Sequence, residues 1–374
     1  MNCVLLGYGT VGRSVEALCK NLPNLNVTKV FVRPSKADEP YFSANGEAMV
    51  TDPKTDVVFE CMGGLEPANT LIRKAHENGK HVISSNKAVI SRYLPEYLEI
   101  ADKNGGSLQI EACVGGGIPI IDGILKLSRA EELKGFEGIL NGTSNFILTS
   151  MEKEGAAFDD VLKAAIDKGY AEADPTSDIE GIDVWYKTLI VLELLTHSAQ
   201  NDLPQPIGIS KISADDIEFA KKQDRKIRHI AKIKNESGKH AAIIAPFFIP
   251  EDHLFAGVDA NYNAQLLMAD SFGSIGYYGQ GAGGFPTAQA MVADALNLLD
   301  GSRRPIRLDS SNMADPELMK LNWIVRSKKD LSSVDGVKPN TFEENDRYFI
   351  QERSGDVIEE VRSLDPEAMI GVWA

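Results

Sequence analysis

The strongest constraint on the fold lies in the first dozen residues. There the apolar run Cys3 to Leu6 gives way to Gly7-Tyr8-Gly9-Thr10-Val11-Gly12 and then to a helix-forming stretch from Val11 toward Lys20. A G-x-G-x-x-G turn between a strand and a helix uses its first glycine for the tight turn, its second for close approach of a pyrophosphate and its third for helix-to-sheet packing. The free N–H groups and the positive end of the helix dipole then face the phosphates. A second apolar run, Val27 to Val32, follows at the distance a βαβ unit needs. Further strand candidates, Asp56 to Cys61, His81 to Ser84 and Leu108 to Glu111, alternate with helix-like Ala68 to Asn78 and Pro95 to Asn104. The pattern predicts an α/β chain that begins with a Rossmann-type, doubly wound dinucleotide-binding domain.

At 374 residues the chain is long for one core, and its pattern changes after Gly117. Ile118 to Arg129 reads as helix, Gly135 to Asn141 as strand, Ala157 to Lys168 as an amphipathic helix and Asp178 to His197 as one long apolar helix. Ala241 to Pro250 and Leu254 to Val258 read as strands, Gly273 to Gly284 as a turn-laden loop and Thr287 to Leu299 as a helix. We therefore expect a dinucleotide-binding domain over residues 1–130, completed by the helix at about 285–300, and an α+β substrate domain over 131–284. Residues 301–374 form an extension with strand-like Leu321 to Val325 and Arg347 to Gln351, a possible helix Asp356 to Ser363, and no legible role.

Thirty-nine Lys plus Arg against 54 Asp plus Glu give a formal charge of −15, which repels nucleic acid and anionic lipid. The four cysteines, Cys3, Cys19, Cys61 and Cys113, show no C-x-x-C pair, so buried reduced thiols are expected rather than a metal or redox centre. No signal-peptide pattern opens the sequence, and no apolar run reaches the ~18 residues of a membrane helix. A cytoplasmic location is expected.

About twenty residues beyond Gly12, where an acidic residue would grip the ribose of NAD, stand Arg33 and Lys36. They suit a 2′-phosphate, which favours NADP while leaving NAD open. Ser84-Ser85-Asn86-Lys87 follows a strand expected to end at the carboxyl edge of the sheet, where ligands of open α/β folds bind. Asp183 and Lys187 stand i and i+4 on a helix face with largely apolar neighbours up to Leu195. They form either a helix salt bridge or a carboxylate orienting an ammonium for chemistry.

The segments Ala165-x-x-x-Gly169-Tyr170-Ala171 and Asp174-Pro175-x-x-Asp178-Ile179-x-Gly181-x-Asp183-x-x-x-Lys187 together resemble the signature of homoserine dehydrogenases. Asn141-Gly142-Thr143-Ser144-Asn145 and Gly279-Gln280-Gly281-Ala282-Gly283-Gly284-Phe285-Pro286-Thr287-Ala288 are similar to further segments of that family, and the likeness covers roughly residues 1 to 300. The resemblance implies NAD(P)H-dependent reduction of L-aspartate 4-semialdehyde to L-homoserine. It makes Lys187 the proton donor, Asp183 its orienting partner and a substrate contact, and Lys87 a third catalytic residue beside the nicotinamide. Glu172, Asp178 and Thr143 become substrate-binding positions. Gly7, Tyr8, Gly9, Thr10, Val11, Gly12, Arg33, Lys36, Ser84, Ser85, Gly169 and Gly283 become cofactor positions.

Glu111-Ala112-Cys113-Val114-Gly115-Gly116-Gly117-Ile118 resembles the family's monovalent cation loop, with Glu111, Val114, Gly116 and Ile118 as ligands to sodium. The resemblance also implies a homodimer formed through the substrate domain. Some relatives carry a C-terminal βαββαβ regulatory domain. The tail here shows too few elements for one, so feedback by a bound amino acid is not expected. The alternatives are another NAD(P)-dependent reductase of an amino-acid aldehyde or imine, and a dinucleotide-sensing protein without turnover. The joint presence of Asp183 and Lys187 argues against the latter.

Overall fold

The computed structural model describes residues 1–37, 40–171, 173–199, 203–338 and 346–374. The chain opens with β1 (Asn2–Leu6), α1 (Thr10–Cys19), β2 (Asn26–Phe31), β3 (Phe42–Ser43), α2 (Gly46–Val50) and β4 (Val57–Glu60). It continues with α3 (Ala68–Glu77), β5 (His81–Ser84), α4 (Lys87–Asn104), β6 (Ser107–Gln109) and α5 (Ile120–Leu127). Next come β7 (Gly135–Ile139), α6 (Gly142–Glu154), α7 (Phe158–Asp167), α8 (Thr176–Ile179), α9 (Ile182–Thr196) and α10 (Ala214–Lys222). Then follow β8 (Arg225–Glu236), β9 (Lys239–Pro250), β10 (Tyr262–Ala269), β11 (Gly273–Gln280) and α11 (Gly284–Leu299). The tail adds β12 (Met313–Ala314), β13 (Leu321–Arg326), β14 (Val337–Lys338), β15 (Arg347–Arg353), α12 (Val357–Leu364) and β16 (Met369–Trp373).

These elements form two compact units. The first comprises Met1–Glu132, Leu189–Ala199 and Gly279–Ser310. Its six-stranded sheet runs β3-β2-β1-β4-β5-β6 with every pair parallel. Strands of such a sheet are covered on both faces, which is why VVFE of β4 is buried at every position. The strand order reverses between β1 and β4, the switch point where open α/β sheets bind ligands. Helix α11 packs on α1 so closely that a Cβ on Gly284 would lie 2.7 Å from Ser14 Oγ and 2.8 Å from Thr10 Cγ2. Thus a helix from late in the sequence completes the first core, burying Ala288, Met291 and Ala295 against Cys3, Leu5 and Val15.

The second unit comprises Leu133–Thr188, Gln200–Tyr278 and Ser311–Ala374. Among the described residues its sheet has ten strands in the order β11-β10-β7-β8-β9-β16-β13-β15-β14, with β12 against β9. Residues 311–374 therefore do not stand apart as a separate extension. The final strand β16 inserts between β9, parallel, and β13, antiparallel, so the tail continues the same sheet. Its core is shared too: Trp323, Val325 and Ile350 pack with Ile230, Phe247 and Phe255.

Three local expectations are corrected. Gly273 to Gly284 is not a loop: most of it is the edge strand β11, and its glycines leave room for neighbours, since a Cβ on Gly276 would lie 3.3 Å from Leu266 Cδ2. Leu254 to Val258 is a 3-10 turn over Leu254–Gly257, capped by His253 Nδ1 accepting the Phe255 N–H at 3.1 Å. Asp178 to His197 is two helices, because Gly181 adopts a left-handed φ of 79° between α8 and α9. A side chain there would meet the His229 ring at 2.9 Å and Pro206 at 3.0 Å.

Candidate active site

In the first unit, the glycine turn has the geometry its sequence demands. Gly7 has a φ of 96°, and a Cβ there would press on Met62 Cγ at 2.9 Å and Cys61 O at 3.0 Å. A Cβ on Gly12 would sit 2.2 Å from Gly7 O, so only glycine lets α1 approach the turn. Gly9 differs: nothing lies within 4 Å of its would-be Cβ, and as N-cap of α1 it has no side-chain cap. Open space in front of uncapped N–H groups is what a pyrophosphate needs. Gly9 and Thr10 are exposed, while Val11 is half-buried.

Gly7, Tyr8 and Gly9 line a cleft of about 1000 Å³ together with Arg33, Lys36 and Ser35. The exposed Arg33 follows the buried Val32 directly after β2, and Lys36 closes a short 3-10 turn. Arg13, which sequence reasoning passed over, lines the same cleft with its guanidinium 5.4 Å from the Tyr8 ring centroid. Tyr8 is held in turn by donating to Glu16 Oε2 at 2.5 Å. Gly283, with a φ of 119°, is the N-cap of α11.

Ser84, expected to line the cofactor, is fully buried, and its hydroxyl donates to Glu60 Oε2 at 2.6 Å. Its side chain serves the protein interior rather than a ligand. Ser85 and Lys87 are half-buried, and Lys87 opens α4 behind its N-cap Asn86.

The Glu111 loop lies in this unit as well. Glu111 accepts the N–H groups of Ile121 at 3.0 Å and Asp122 at 2.7 Å, capping α5, while its own N–H donates to Asp294 Oδ2 at 3.2 Å. Burial, with the nearby Asp294 charge, pushes Glu111 up to about 8, and burial pushes Asp294 up to about 7. Val114, Gly116 and Ile118 are buried, and left-handed Gly115 and Gly116 turn the chain beside Gly281.

The second unit gathers the acidic cluster. Lys187 Nζ donates to Asp183 Oδ2 and to Leu140 O, both at 2.7 Å, and both side chains are less than a tenth exposed. Asp183 stands in the first turn of α9, where the dipole favours a carboxylate. Asn141 joins the set: its Nδ2 donates to Asp178 Oδ1 at 2.7 Å and to Asp183 Oδ2 at 2.9 Å. Its Oδ1 accepts the Ser144 N–H at 2.7 Å, capping α6, so the amide orientation is fixed from both ends. Burial raises Asp178 above the ordinary carboxylate range. Thr143 Oγ1 donates to Tyr170 O at 2.7 Å, beside left-handed Gly169, which belongs to this unit. Glu172 lies outside the described residues. Asn141 stood in the family-like segment but its role was not legible, because its task needs Asp178 and Asp183, about forty residues away.

A parallel sheet with a glycine turn at its switch point, and a second unit holding a buried lysine among carboxylates, define a nicotinamide-dinucleotide oxidoreductase. Comparison with known proteins gives the family. The profile of the homoserine dehydrogenase NAD-binding domain matches residues 7–111, and that of homoserine dehydrogenase matches residues 119–296. The chain is 39% identical over 313 residues to the homoserine dehydrogenase of Synechocystis sp., covering 79% of this chain and 72% of that protein. It is 38% identical over 318 residues to that of Neisseria gonorrhoeae, covering 80% and 72%. The crystal structure of the Thiobacillus denitrificans homoserine dehydrogenase superposes with a TM-score of 0.87 at 29% identity, covering all of this chain and 98% of that one. The chain belongs to the homoserine dehydrogenase family. It is an oxidoreductase that interconverts aspartate 4-semialdehyde and homoserine with a nicotinamide dinucleotide. Among the described residues no helix is long and apolar enough to cross a membrane.

Proposed function

We propose that Lys187 is the proton donor of the reduction and that Asp183 orients it. The observation that carries this is the buried ammonium itself. Two of its three donors are fixed on Leu140 O and Asp183 Oδ2, which leaves the third to meet a substrate oxygen. The bound dinucleotide supplies the hydride to the aldehyde carbon. As that carbon gains hydride its oxygen gains charge, and the Lys187 N–H stabilises it and then transfers a proton to give the hydroxyl of homoserine. In oxidation the neutral amine takes that proton back. Asp178 and Asp183, bridged by Asn141, present negative charge to the amino group of the substrate, and Glu172 and Thr143 complete that pocket. Lys87 acts beside the nicotinamide.

Gly7–Gly12, Gly169 and Gly283 would hold the dinucleotide, and Arg33 and Lys36 would select NADP by pairing with its 2′-phosphate. Arg13, lining the same cleft, adds to that preference. Glu111, with the carbonyls of Val114, Gly116 and Ile118, holds a monovalent cation, probed best with Na+. Support comes from the chemistry of the donors: hard oxygens on a glycine turn, beside the buried Glu111 and Asp294 carboxyls, whose ionised forms a cation would stabilise. The enzyme works as a homodimer in the cytoplasm. Edge strand β11 with exposed Leu254 and Tyr278 supports a sheet-to-sheet contact between copies, and four free cysteines suit a reducing compartment.

The test is Lys187→Ala. We expect kcat to fall by about 10²- to 10⁴-fold, the range for a lost general acid, with the dissociation constant of NADPH unchanged. Full activity would return the Asp183–Lys187 pair to the status of a structural salt bridge.

A further inference from the structure

Strand β4 ends in a carboxylate that the reaction as derived above does not use. Glu60 is completely buried, and a carboxylate in that position is costly unless donors surround it. Three do. The Met62 N–H donates to Oε1 at 2.8 Å, the Ser84 hydroxyl to Oε2 at 2.6 Å, and Asn86 Nδ2 reaches Oε1 at the longer distance of 3.5 Å.

The direction of these bonds carries further along the chain. Ser84 has one hydroxyl proton, and giving it to Glu60 turns a lone pair toward the Asn86 N–H, which donates to Ser84 Oγ at 3.0 Å. Asn86, tied also to Gly64 O at 2.8 Å, accepts the Val89 N–H with its Oδ1 at 3.3 Å and so caps the first turn of α4. The first residue of that helix is Lys87. On the other side, Met62 is flanked by Cys61 and Gly63, and all three line the glycine-turn cleft. One buried carboxylate thus ties together the carboxyl ends of β4 and β5, at the edge where a parallel sheet binds its ligand.

We propose that Glu60 is a positioning residue of this dehydrogenase, holding the Ser84–Lys87 segment and the Cys61–Gly63 wall in the arrangement that receives the dinucleotide. This rests on the reading that Lys87 and its loop meet the cofactor. Every partner of Glu60 is a donor, so the arrangement requires the ionised carboxylate. A proton on either oxygen would oppose a donor and turn the Ser84 hydroxyl away. Burial pushes the Glu60 carboxyl up to about 7 against the pull of its three donors. The titratable side chains around it, Cys61, Cys113 and Tyr97, are all pushed upward and stay neutral, and Lys87 on α4 acts on Cys113. Because the raised group is an acid, the binding-competent ionised form dominates above about 7 and is lost as pH falls through that value.

The experiment is direct titration of the full chain with NADPH, without substrate, for the wild type and for Glu60→Gln, Ser84→Ala, their combination, and Lys87→Ala. An amide at position 60 sets its NH2 against a donor. Glu60→Gln and Ser84→Ala should therefore each weaken binding by about 5- to 30-fold at pH 8, with the combination no worse than the stronger single change. Between pH 8 and 6 the wild-type advantage over Glu60→Gln should shrink about 3- to 8-fold, toward parity, as the ionised fraction falls from about 0.9 to about 0.1. Taking that ratio cancels titration of the cofactor itself. A Glu60→Gln protein that binds within twofold of wild type, or a weakened one whose ratio does not change with pH, overturns the proposal. If Glu60→Gln does not fold, Ser84→Ala decides it alone by the same two criteria. Should Lys87→Ala impair binding or turnover while Glu60→Gln does not, only the role of Glu60 fails. Should Lys87→Ala change neither, the reading of the whole segment fails.

Discussion

Replacing Lys187 removes a charge from one of the most enclosed polar sites in the second unit, so stability and activity both change and must be separated. Lys187→Met takes away two charge-assisted hydrogen bonds, to Leu140 O and Asp183 Oδ2, and leaves Asp183 buried without its cation, with Asn141 still donating to it. Breaking one partner out of a buried pair costs about 3–5 kcal/mol, against a total of roughly 5–15 kcal/mol for a domain. The variant should fold, with a visibly lower Tm. Adding Asp183→Asn removes the buried charge that has lost its ammonium, and the amide oxygen at 183 can still accept from Asn141, so the double variant should recover most of that loss. Its kcat should recover nothing. A fall of 10²- to 10⁴-fold corresponds to about 2.7–5.5 kcal/mol of lost transition-state stabilisation, which repacking cannot supply. The assay follows dinucleotide absorbance with aspartate 4-semialdehyde, alongside thermal unfolding of the same preparations. If activity returned together with stability in the double variant, the pair would be structural and the proton donor would have to be sought elsewhere.

Arg33→Ala should weaken NADPH by about 10- to 100-fold, the range for a lost charge-assisted bond, and NADH far less; equal losses would remove Arg33 from the 2′-phosphate. Gly12→Ala forces a Cβ to within 2.2 Å of Gly7 O, so cofactor binding should disappear while the Tm of the second unit holds. Retained binding would show that α1 can retreat from the turn. Replacing Na+ by choline at equal ionic strength should lower the Tm, and Glu111→Gln should abolish that difference; no difference in the wild type would count against a cation at the Glu111 loop.

What could be read from the sequence depended on whether a residue's task was local. The glycine turn is local: the demands on Gly7, Gly9 and Gly12 come from neighbours within a few residues and from a ligand of fixed shape, so spacing alone expresses them. Asp183 and Lys187 were visible for the same reason, being one helical turn apart. Strand β8 was invisible because its alternation is dressed in cations: Lys226, Arg228, Lys232 and Lys234 share one face with the buried Ile230, and Arg228, fully buried, pairs with Glu152 at 2.8 Å from another element. The tail was misjudged because β16 finds its place between β9 and β13, pairings that no period within the segment records.

The polar groups whose roles sequence reasoning missed share one property, which is that their partners are remote. Asp294 meets Glu111 across 183 residues, Glu60 meets Ser84 across 24, and Asn141 meets Asp183 across 42. Each lies beneath a residue that the motifs did identify, and each is buried where an unpaired polar atom would cost about 1–3 kcal/mol. Sequence motifs in this enzyme therefore mark the groups that touch ligands, whose chemistry fixes residue type at a given spacing. The groups that aim them are fixed by tertiary geometry instead: Asn141 serves Asp183, and Glu60, on the proposal above, serves Lys87. Any substitution that leaves the motifs intact but alters that buried layer should lower cofactor affinity or kcat without changing which substrate is chosen.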